Sequence, residues 1–145
     1  TPTPPPPMLR RLVGSEMCIR DSSKDHRSLN VRRIGFVASE ITKNGGIAIC
    51  APIAPYRLDR QFNREMINPL GGYIEVFVNT PLDICEQRDV KGLYAKARKG
   101  LLKQFTGIDD PYEQPENAEI VIDTSDESPE ALVNEILDQI HKMGY

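Results

Sequence analysis

The chain has 145 residues, of which 39% are hydrophobic and 27% are charged, and this balance is typical of one soluble domain. The formal net charge of −3 at pH 7 excludes a general electrostatic attraction to nucleic acid, so any anion-binding site must be local. No apolar run in the sequence approaches the roughly 18 residues that a transmembrane helix needs, and we expect no membrane span.

The three cysteines, Cys18, Cys50 and Cys85, are too few and too scattered for a disulfide framework or for zinc-ligand spacing. Reduced thiols and a cytoplasmic location are therefore expected.

The first 22 residues differ in texture from the rest of the chain. Residues 1–7 are almost entirely proline and threonine, which cannot form a core. The string "LVGSEMCIRDS" at 12–22 resembles read-through of an adapter used in preparing sequencing libraries, the alternative being a flexible tail. No apolar stretch typical of a signal peptide is present. Residues 1–22 are predicted to be a non-native or disordered tail, and the domain is predicted at 23–145.

From Ser23 onward, helix and strand patterns alternate. The first predicted helix ends at Asn44, where two glycines supply a left-handed stop. Its predicted core face has helical spacing and comprises Ile34, Val37, Ala38 and Ile41.

A continuous apolar run at 47–55 predicts a buried strand. A short helix should follow, using Leu58, Phe62 and Met66 for its core face. A second strand is predicted at 73–78.

The second half of the chain predicts two more helices and one strand. Thr80 is expected to cap a helix that has Pro81 at its first position. A third strand is predicted at 118–124, and Ser128 should cap a closing helix that begins with Pro129. The predicted core face of that last helix comprises Leu132, Val133, Ile136, Leu137 and Ile140.

Apolar strands separated by helices indicate an α/β fold with a parallel sheet and helices on both faces. Ligands in such sheets bind beyond the carboxyl ends of the strands. These ends are the strings "APIAPYR", "VNTPLD" and "DTSDES".

A basic stretch at 88–103, with six cations and one acid, follows the second of these ends. Its glycines, Gly92, Gly100 and Gly107, could act as swivel points of a lid that closes on a polyanion, and Phe105 could stack on a flat base. A solvated helix face and an isolated exposed aromatic are the alternatives. If the stretch is helical, three lysines should share one side of it: Lys96, Lys99 and Lys103.

Cationic residues also lie at the front of the first helix, where Arg27, Arg32 and Arg33 offer forks that match phosphate or sulfate. Surface ion pairs are the alternative. The sequence contains no arrangement typical of nucleophilic catalysis or of a metal site, so no catalytic or metal-binding residue is predicted.

Four strings in this order resemble the adenylyl-sulfate kinase family from 23 to 145: "NVRRIGFVASEI", "IAPYRLDR", "IEVFVNTPLDICEQRDVKGLYAKAR" and "FTGIDDPYEQPENAEIVIDT". The resemblance implies a fold of the P-loop NTPase type. It implies an enzyme that transfers the γ-phosphate of ATP to the 3′-hydroxyl of adenylyl sulfate in sulfate assimilation. Mg²⁺ with ATP is the implied cofactor, with ligands from a part upstream of Ser23.

The resemblance also implies the site residues. Lys91 would reach the phosphosulfate of adenylyl sulfate, Phe105 would stack on its adenine, and Arg88 would lie near ATP. The other residues implied to contact adenylyl sulfate are Arg27, Asn30, Ile53, Ala54 and Gln104.

Three departures from the family pattern qualify this interpretation. No G-x-x-x-x-G-K-[ST] loop, which cradles phosphates, occurs in the sequence. Some members of the family have serine where Ala54 stands. Alanine cannot carry a phosphate, so direct transfer from ATP to the substrate is implied. A second stacking phenylalanine would fall at Ser22. We therefore interpret the chain as a kinase domain truncated at its N-terminus, lacking the phosphate loop and first strands and inactive by itself.

The resemblance implies a homodimer and is compatible with covalent fusion to an ATP sulfurylase. One alternative function is a non-catalytic sulfonucleotide-binding module. Another is a nucleic-acid binder that uses the basic stretch, but net acidity and nearby carboxylates, Asp109 and Asp110 among them, argue against it.

Overall fold

The computed structural model describes residues 23–145, and the predicted tail at 1–22 lies outside this part of the chain. Five helices and two strands are formed there, in an order that confirms the predicted α/β class. The helices are α1 Lys24–Lys43, α2 Arg57–Ile67, α3 Leu82–Arg88, α4 Leu93–Arg98 and α5 Pro129–Lys142. A short 3₁₀ helix occupies Asn68–Leu70, and the strands are β1 Val76–Val78 and β2 Ile120–Ile122.

The two strands pair in parallel, as predicted, with Val76 opposite Ile120 and Val78 opposite Ile122. The segment at 47–55 forms neither a helix nor a strand, so that prediction was wrong. Within residues 23–145, no backbone hydrogen bond joins 47–54 to a neighbouring strand, and Ile47 is 72% exposed. An apolar run needs a ladder partner to become a strand, and the described residues supply none.

The core lies between β2 and α5. Ile120 is 1% exposed and packs with Ile122 and Leu132, while Ile136 and Ile140 lie against this cluster. Ser128 accepts a hydrogen bond from the backbone N–H of Ala131, at 3.2 Å, which confirms the predicted cap. The predicted core face of α5 included two residues too many, because Val133 and Leu137 are about half exposed.

Helices α1 and α2 pack on each other through a polar interface, and the predicted core faces of both were largely wrong. On α1 the buried positions include Val31, Gly35 and Ala38, of which only Ala38 was predicted. On α2 the predicted Leu58 is 76% exposed, and Phe62 is also exposed. The buried positions of α2 are Asp59, Arg60, Asn63 and Ile67.

Specific hydrogen bonds explain this orientation of α2. Asn63 Nδ2 donates to the carbonyl of Val31 at 3.1 Å, and Arg32 Nε donates to Asp59 Oδ1 at 2.8 Å. Because buried polar groups must be paired, these contacts fix the face of α2 that meets α1. The apolar residues of α2 are left outside as a result.

An ion-pair network joins α2 to the sheet. Arg60 Nε lies 2.8 Å from Glu75 Oε1, and Arg64 forms a pair with Glu119 at 2.5 Å. Glu119 also accepts a hydrogen bond from the backbone N–H of Glu75 at 2.7 Å. The hydrogen bonds from Arg64 hold the pKa of Glu119 below its usual range, although partial burial opposes this shift.

Thr80 does not cap α3, in contrast to the prediction. Pro81 occupies the cap position, so the helix begins at Leu82, one residue later than predicted. The hydroxyl of Thr80 instead lies 2.7 Å from that of Thr124. Bonding across the two strands therefore replaces the expected helix cap.

Candidate functional site

A cleft of about 1190 Å³ lies beyond the carboxyl end of β1. This is the edge where parallel sheets bind ligands. Five of the eight residues predicted to form the site line this cleft: Arg27, Ile53, Ala54, Gln104 and Phe105. The structure therefore brings together side chains that lie far apart in the sequence.

Arg27 is the buried cation of the cleft, with 8% of its side chain exposed. Its Nη2 donates to the hydroxyl of Tyr56 at 2.6 Å and to Asp110 Oδ2 at 2.9 Å. Its Nη1 donates to the carbonyl of Gln104 at 3.2 Å. The guanidinium therefore joins α1 to the segment that carries Phe105.

Tyr56 completes a triangle with Arg27 and Asp110, because its hydroxyl donates to Asp110 Oδ2 at 2.8 Å. Burial raises the pKa of this hydroxyl, and the hydrogen bond from Arg27 opposes the rise. Tyr56 therefore remains a neutral donor that bridges the two charges.

The segment at 104–110, which we term the 104–110 loop, is folded on itself. The carbonyl of Phe105 accepts backbone hydrogen bonds from Ile108, Asp109 and Asp110 at 3.0 to 3.2 Å. The carboxylate of Asp109 accepts from the backbone N–H groups of Gln104 and Phe105. Gln104 adopts φ +56°, a left-handed conformation that these bonds maintain.

Phe105 lies beside a second aromatic ring. Its ring centroid is 5.2 Å from that of Tyr94, in an edge-to-face arrangement with an interplanar angle of 74°. Both rings line the cleft. An aromatic face next to a buried guanidinium can hold a planar base and an anionic group of one ligand.

The 53–54 segment forms another wall of the cleft. Ala54 has φ +44°, which is unusual for a residue other than glycine. Arg60 Nη1 donates to its carbonyl at 2.7 Å and thereby holds this turn in place.

Arg88 lies outside the large cleft, beside a smaller one of about 370 Å³. Its guanidinium donates to the hydroxyl and the carbonyl of Thr124, at 2.9 and 2.6 Å, and to the carbonyl of Ser125 at 3.0 Å. The structure therefore places Arg88 against the loop that follows β2.

Lys91 and Asn30, the other two predicted site residues, do not belong to the lining of either cleft within the described residues. Lys91 is exposed in the turn between α3 and α4, and Asn30 is half-buried on α1.

The basic stretch is not one continuous helix. Helix α4 ends at Arg98, before Gly100 with φ +70°, so the predicted alignment of Lys103 with Lys96 and Lys99 does not occur. Asp89 caps α4 by accepting hydrogen bonds from the backbone N–H groups of Leu93, Tyr94 and Ala95, at 2.7 to 3.1 Å. Desolvation opposes ionisation of Asp89, but these three donors outweigh it and lower the pKa of its carboxyl.

Sequence reasoning missed Tyr56, Asp109 and Asp110 as parts of the site. The two aspartates could have been considered from their position immediately after Phe105, in the string "FTGIDD". Tyr56 follows the proline at the end of the apolar 47–55 run, where a cleft was expected.

The residues of the described part do not form a metal site by themselves. Between residues 23 and 145, no group of three or more His, Cys, Asp or Glu side chains could hold a metal ion. In the same part of the chain, no helix is long and apolar enough to cross a bilayer.

Comparisons with known proteins connect this geometry to one family. The adenylylsulphate kinase family model matches residues 15–123. An adenylyl-sulfate kinase of Synechococcus sp. (strain JA-3-3Ab) is 50% identical over 138 residues, which cover 95% of this chain and 75% of the relative. A sulfate adenylyltransferase of Aspergillus terreus is 51% identical over 124 residues, which cover 85% of this chain.

A solved structure agrees with these matches. The structure of the Mycobacterium tuberculosis APS kinase in complex with AMPPNP and APS superposes with a TM-score of 0.79 and 35% identity, covering 88% of this chain and 73% of that chain. The present chain spans 22% of the length of the Aspergillus terreus relative. The fold is therefore that of the P-loop NTPase type found in adenylyl-sulfate kinases.

Proposed function

The chain belongs to the adenylyl-sulfate kinase family, and from this premise we propose that it provides the adenylyl-sulfate site of a kinase. The complete enzyme would transfer the γ-phosphate of ATP to the 3′-hydroxyl of adenylyl sulfate and form 3′-phosphoadenylyl sulfate. This proposal is carried by the contact of Arg27 with the 104–110 loop, through the 3.2 Å hydrogen bond that Arg27 Nη1 donates to the Gln104 carbonyl.

Each wall of the cleft has a role in the proposed complex. Arg27 would face the anionic phosphosulfate, and Phe105 would stack on the adenine. Gln104, Ile53 and Ala54 would contact the same ligand at the cleft walls. Asn30 on α1 and Lys91 in the turn before α4 would add polar contacts from outside the lining.

Arg88 would lie near ATP in this proposal. Its place beside the smaller cleft supports a separate nucleotide position. Mg²⁺ would accompany ATP in the complete enzyme, and the described residues contain no group of three His, Cys, Asp or Glu side chains that could hold it by themselves.

The binding part of this proposal can be tested with purified protein and adenylyl sulfate. We expect saturable binding by isothermal titration calorimetry and a loss of about tenfold in affinity in F105A, because stacking of a base contributes about 1–3 kcal/mol. The control is F36A, which removes an exposed ring from α1. No binding by the wild type, or equal affinity in F105A, would contradict the proposed role of Phe105.

The catalytic part is tested separately. We propose that the 145-residue chain binds adenylyl sulfate without turning it over, because its sequence lacks the G-x-x-x-x-G-K-[ST] string that cradles phosphates. Chromatographic detection of 3′-phosphoadenylyl sulfate with Mg²⁺ and ATP present would overturn this statement. The second candidate function is a non-catalytic sulfonucleotide-binding module, which would use the same cleft.

Assembly and location are also proposals. We propose a cytoplasmic homodimer, which light scattering on the purified chain would detect as twice the monomer mass. The match to a sulfate adenylyltransferase over 22% of its length supports a fusion of this domain to an ATP sulfurylase. Sequencing the complete transcript would test for that fusion.

A further inference from the structure

We propose that Asp110 is a positioning residue. It holds Arg27 and the 104–110 loop together as one preassembled site for a ligand that carries an anionic group and a base. This inference rests on the proposed function, because it deepens the role of the same cleft. Asp110 itself need not touch the ligand. It acts through the guanidinium that it holds.

The first support is the closed geometry of three polar groups. Arg27, Tyr56 and Asp110 are mutually bonded at 2.6, 2.8 and 2.9 Å. They come from three separate parts of the chain, namely the first turn of α1, the residue before α2 and the end of the 104–110 loop. One carboxylate oxygen, Oδ2 of Asp110, accepts from both of the other groups.

Burial makes this contact different from a surface ion pair. The side chains of Arg27 and Asp110 are 8% and 16% exposed. Water screens such a pair only weakly, and removal of one partner leaves the other charge buried without compensation. The exposed pair of Arg57 and Glu116 is more than half exposed on both sides and provides the contrast.

The second support is the internal bonding of the 104–110 loop. The Phe105 carbonyl accepts from three following N–H groups, and the backbone N–H of Gly107 donates to the carbonyl of Asp110 at 2.8 Å. Because backbone hydrogen bonds hold the 104–110 loop together, anchoring it at Asp110 also determines where Phe105 lies. Arg27 holds the loop a second time through the carbonyl of Gln104.

A ligand with an anionic group and a base would meet both binding groups at a fixed separation. Preorganisation of this kind improves affinity, because fewer groups must be ordered when the ligand binds. Loss of the Asp110 charge would release both binding groups together. We therefore expect a larger loss of ligand affinity than removal of a single charge far from the cleft would cause.

The affinity test compares the wild type with D110N and Y56F, which change only one carboxylate and one hydroxyl. We expect D110N to weaken adenylyl-sulfate binding about tenfold and Y56F to weaken it about threefold, in titrations with matched ionic strength. The control variant E116Q removes the same charge from the exposed pair, and we expect it to bind like the wild type.

A double-mutant cycle distinguishes positioning from a general structural role. If Asp110 acts through Arg27, D110N should weaken binding by less than about twofold when R27M is already present. A tenfold loss in both backgrounds would overturn the proposal. Circular dichroism of each variant verifies that it is folded.

Hydrogen exchange of the ligand-free protein gives an answer that does not depend on binding. We expect the amides of the 104–110 loop to exchange several-fold faster in D110N than in the wild type and in E116Q. Unchanged exchange would overturn the proposal even if the wild type binds. Faster exchange in a protein that fails to bind adenylyl sulfate would uphold the positioning role and reject the proposed function alone.

Discussion

The hydroxyl groups of Thr80 and Thr124 lie 2.7 Å apart and join the chain immediately after β1 to the chain immediately after β2. The backbone N–H of Thr124 also donates to the Thr80 hydroxyl, at 3.3 Å. This contact closes the sheet at the edge where the two clefts begin. It also aligns Thr124 to receive the guanidinium of Arg88.

Replacement of Thr80 by valine should lower the free energy of unfolding by about 1 kcal/mol, since it leaves part-buried groups of Thr124 without one partner. Urea denaturation followed by circular dichroism measures this change. T42V is the control, because the hydroxyl of Thr42 donates to the carbonyl of Ala38 within its own helix. Equal losses in the two variants would show that the cross-strand bond adds nothing specific.

The ion pair of Arg64 and Glu119 should make stability depend on pH. The folded-state pKa of Glu119 lies below its unfolded value, so the contribution is fully present above the unfolded pKa of about 4.3. It should be lost as pH falls from about 5 through the folded-state pKa. Denaturation midpoints measured between pH 7 and pH 3 should therefore fall less steeply in E119Q than in the wild type. In E116Q the midpoints should fall with pH as steeply as in the wild type, if the effect belongs to the Arg64–Glu119 pair.

Substitution of Gly35 by alanine should destabilise the packing of α1 on α2. A methyl group there would overlap the side-chain amide of Asn63, which is buried and bonded to α1. We expect a loss of about 1–3 kcal/mol, although alanine favours helices by roughly 1 kcal/mol over glycine.

The double variant G35A/N63A tests that reason. With the amide removed, the alanine at position 35 should become neutral or stabilising relative to N63A alone. Persistence of the full loss in the N63A background would place the cause elsewhere.

Removal of the Asp89 carboxylate should loosen α4. Its three backbone hydrogen bonds satisfy the first N–H groups of this six-residue helix. In D89A we expect faster amide exchange at Leu93, Tyr94 and Ala95, measured by NMR. D83N, which changes an exposed acid in the first turn of α3, should leave these rates unchanged.

The same bonds predict a response of α4 to acid. Because the pKa of Asp89 is lowered, the cap is intact above the usual carboxyl pKa and is lost as pH falls through the lowered value. After correction for intrinsic exchange, protection of these three amides should decrease in acid in the wild type. It should not change with pH in D89A.

Local chemistry was sufficient to predict two of the helix boundaries. Ser128 with Pro129 marks the start of α5, and Asn44 with Gly45 marks the end of α1, as the structure confirms. These signals act within a few residues and do not depend on the rest of the fold. The strand at 47–55 failed because a strand also needs a distant partner, which no local pattern reports.

The helix faces could not be predicted from hydrophobicity because the buried side of α2 is polar. Asp59 and Asn63 are hydrogen-bonded to α1, and Arg60 is bonded to Glu75, the residue before β1, and to the carbonyl of Ala54. A periodicity argument assigns such residues to the solvent and their apolar neighbours to the core. The error therefore arose from tertiary hydrogen bonds that the sequence pattern does not encode.

The resemblance to the family predicted Arg27, Gln104 and Phe105 as site residues, and the structure brings these three into one cleft. Asp110 and Tyr56 were missed because their contacts to Arg27 span 83 and 29 positions of sequence. Spacing along the chain carries no signal for partners at that separation.

The register of the sheet also has a consequence for synthesis on the ribosome. Val76 and its partner Ile120 are separated by 44 positions, the same offset that joins Thr80 to Thr124. At about 5–20 residues per second, the nascent β1 therefore waits roughly 2–9 s before its partner has been translated. During that interval its backbone donors and acceptors are open to any extended chain nearby, so the rate of translation through 79–122 sets how long the nascent protein is exposed to misassembly.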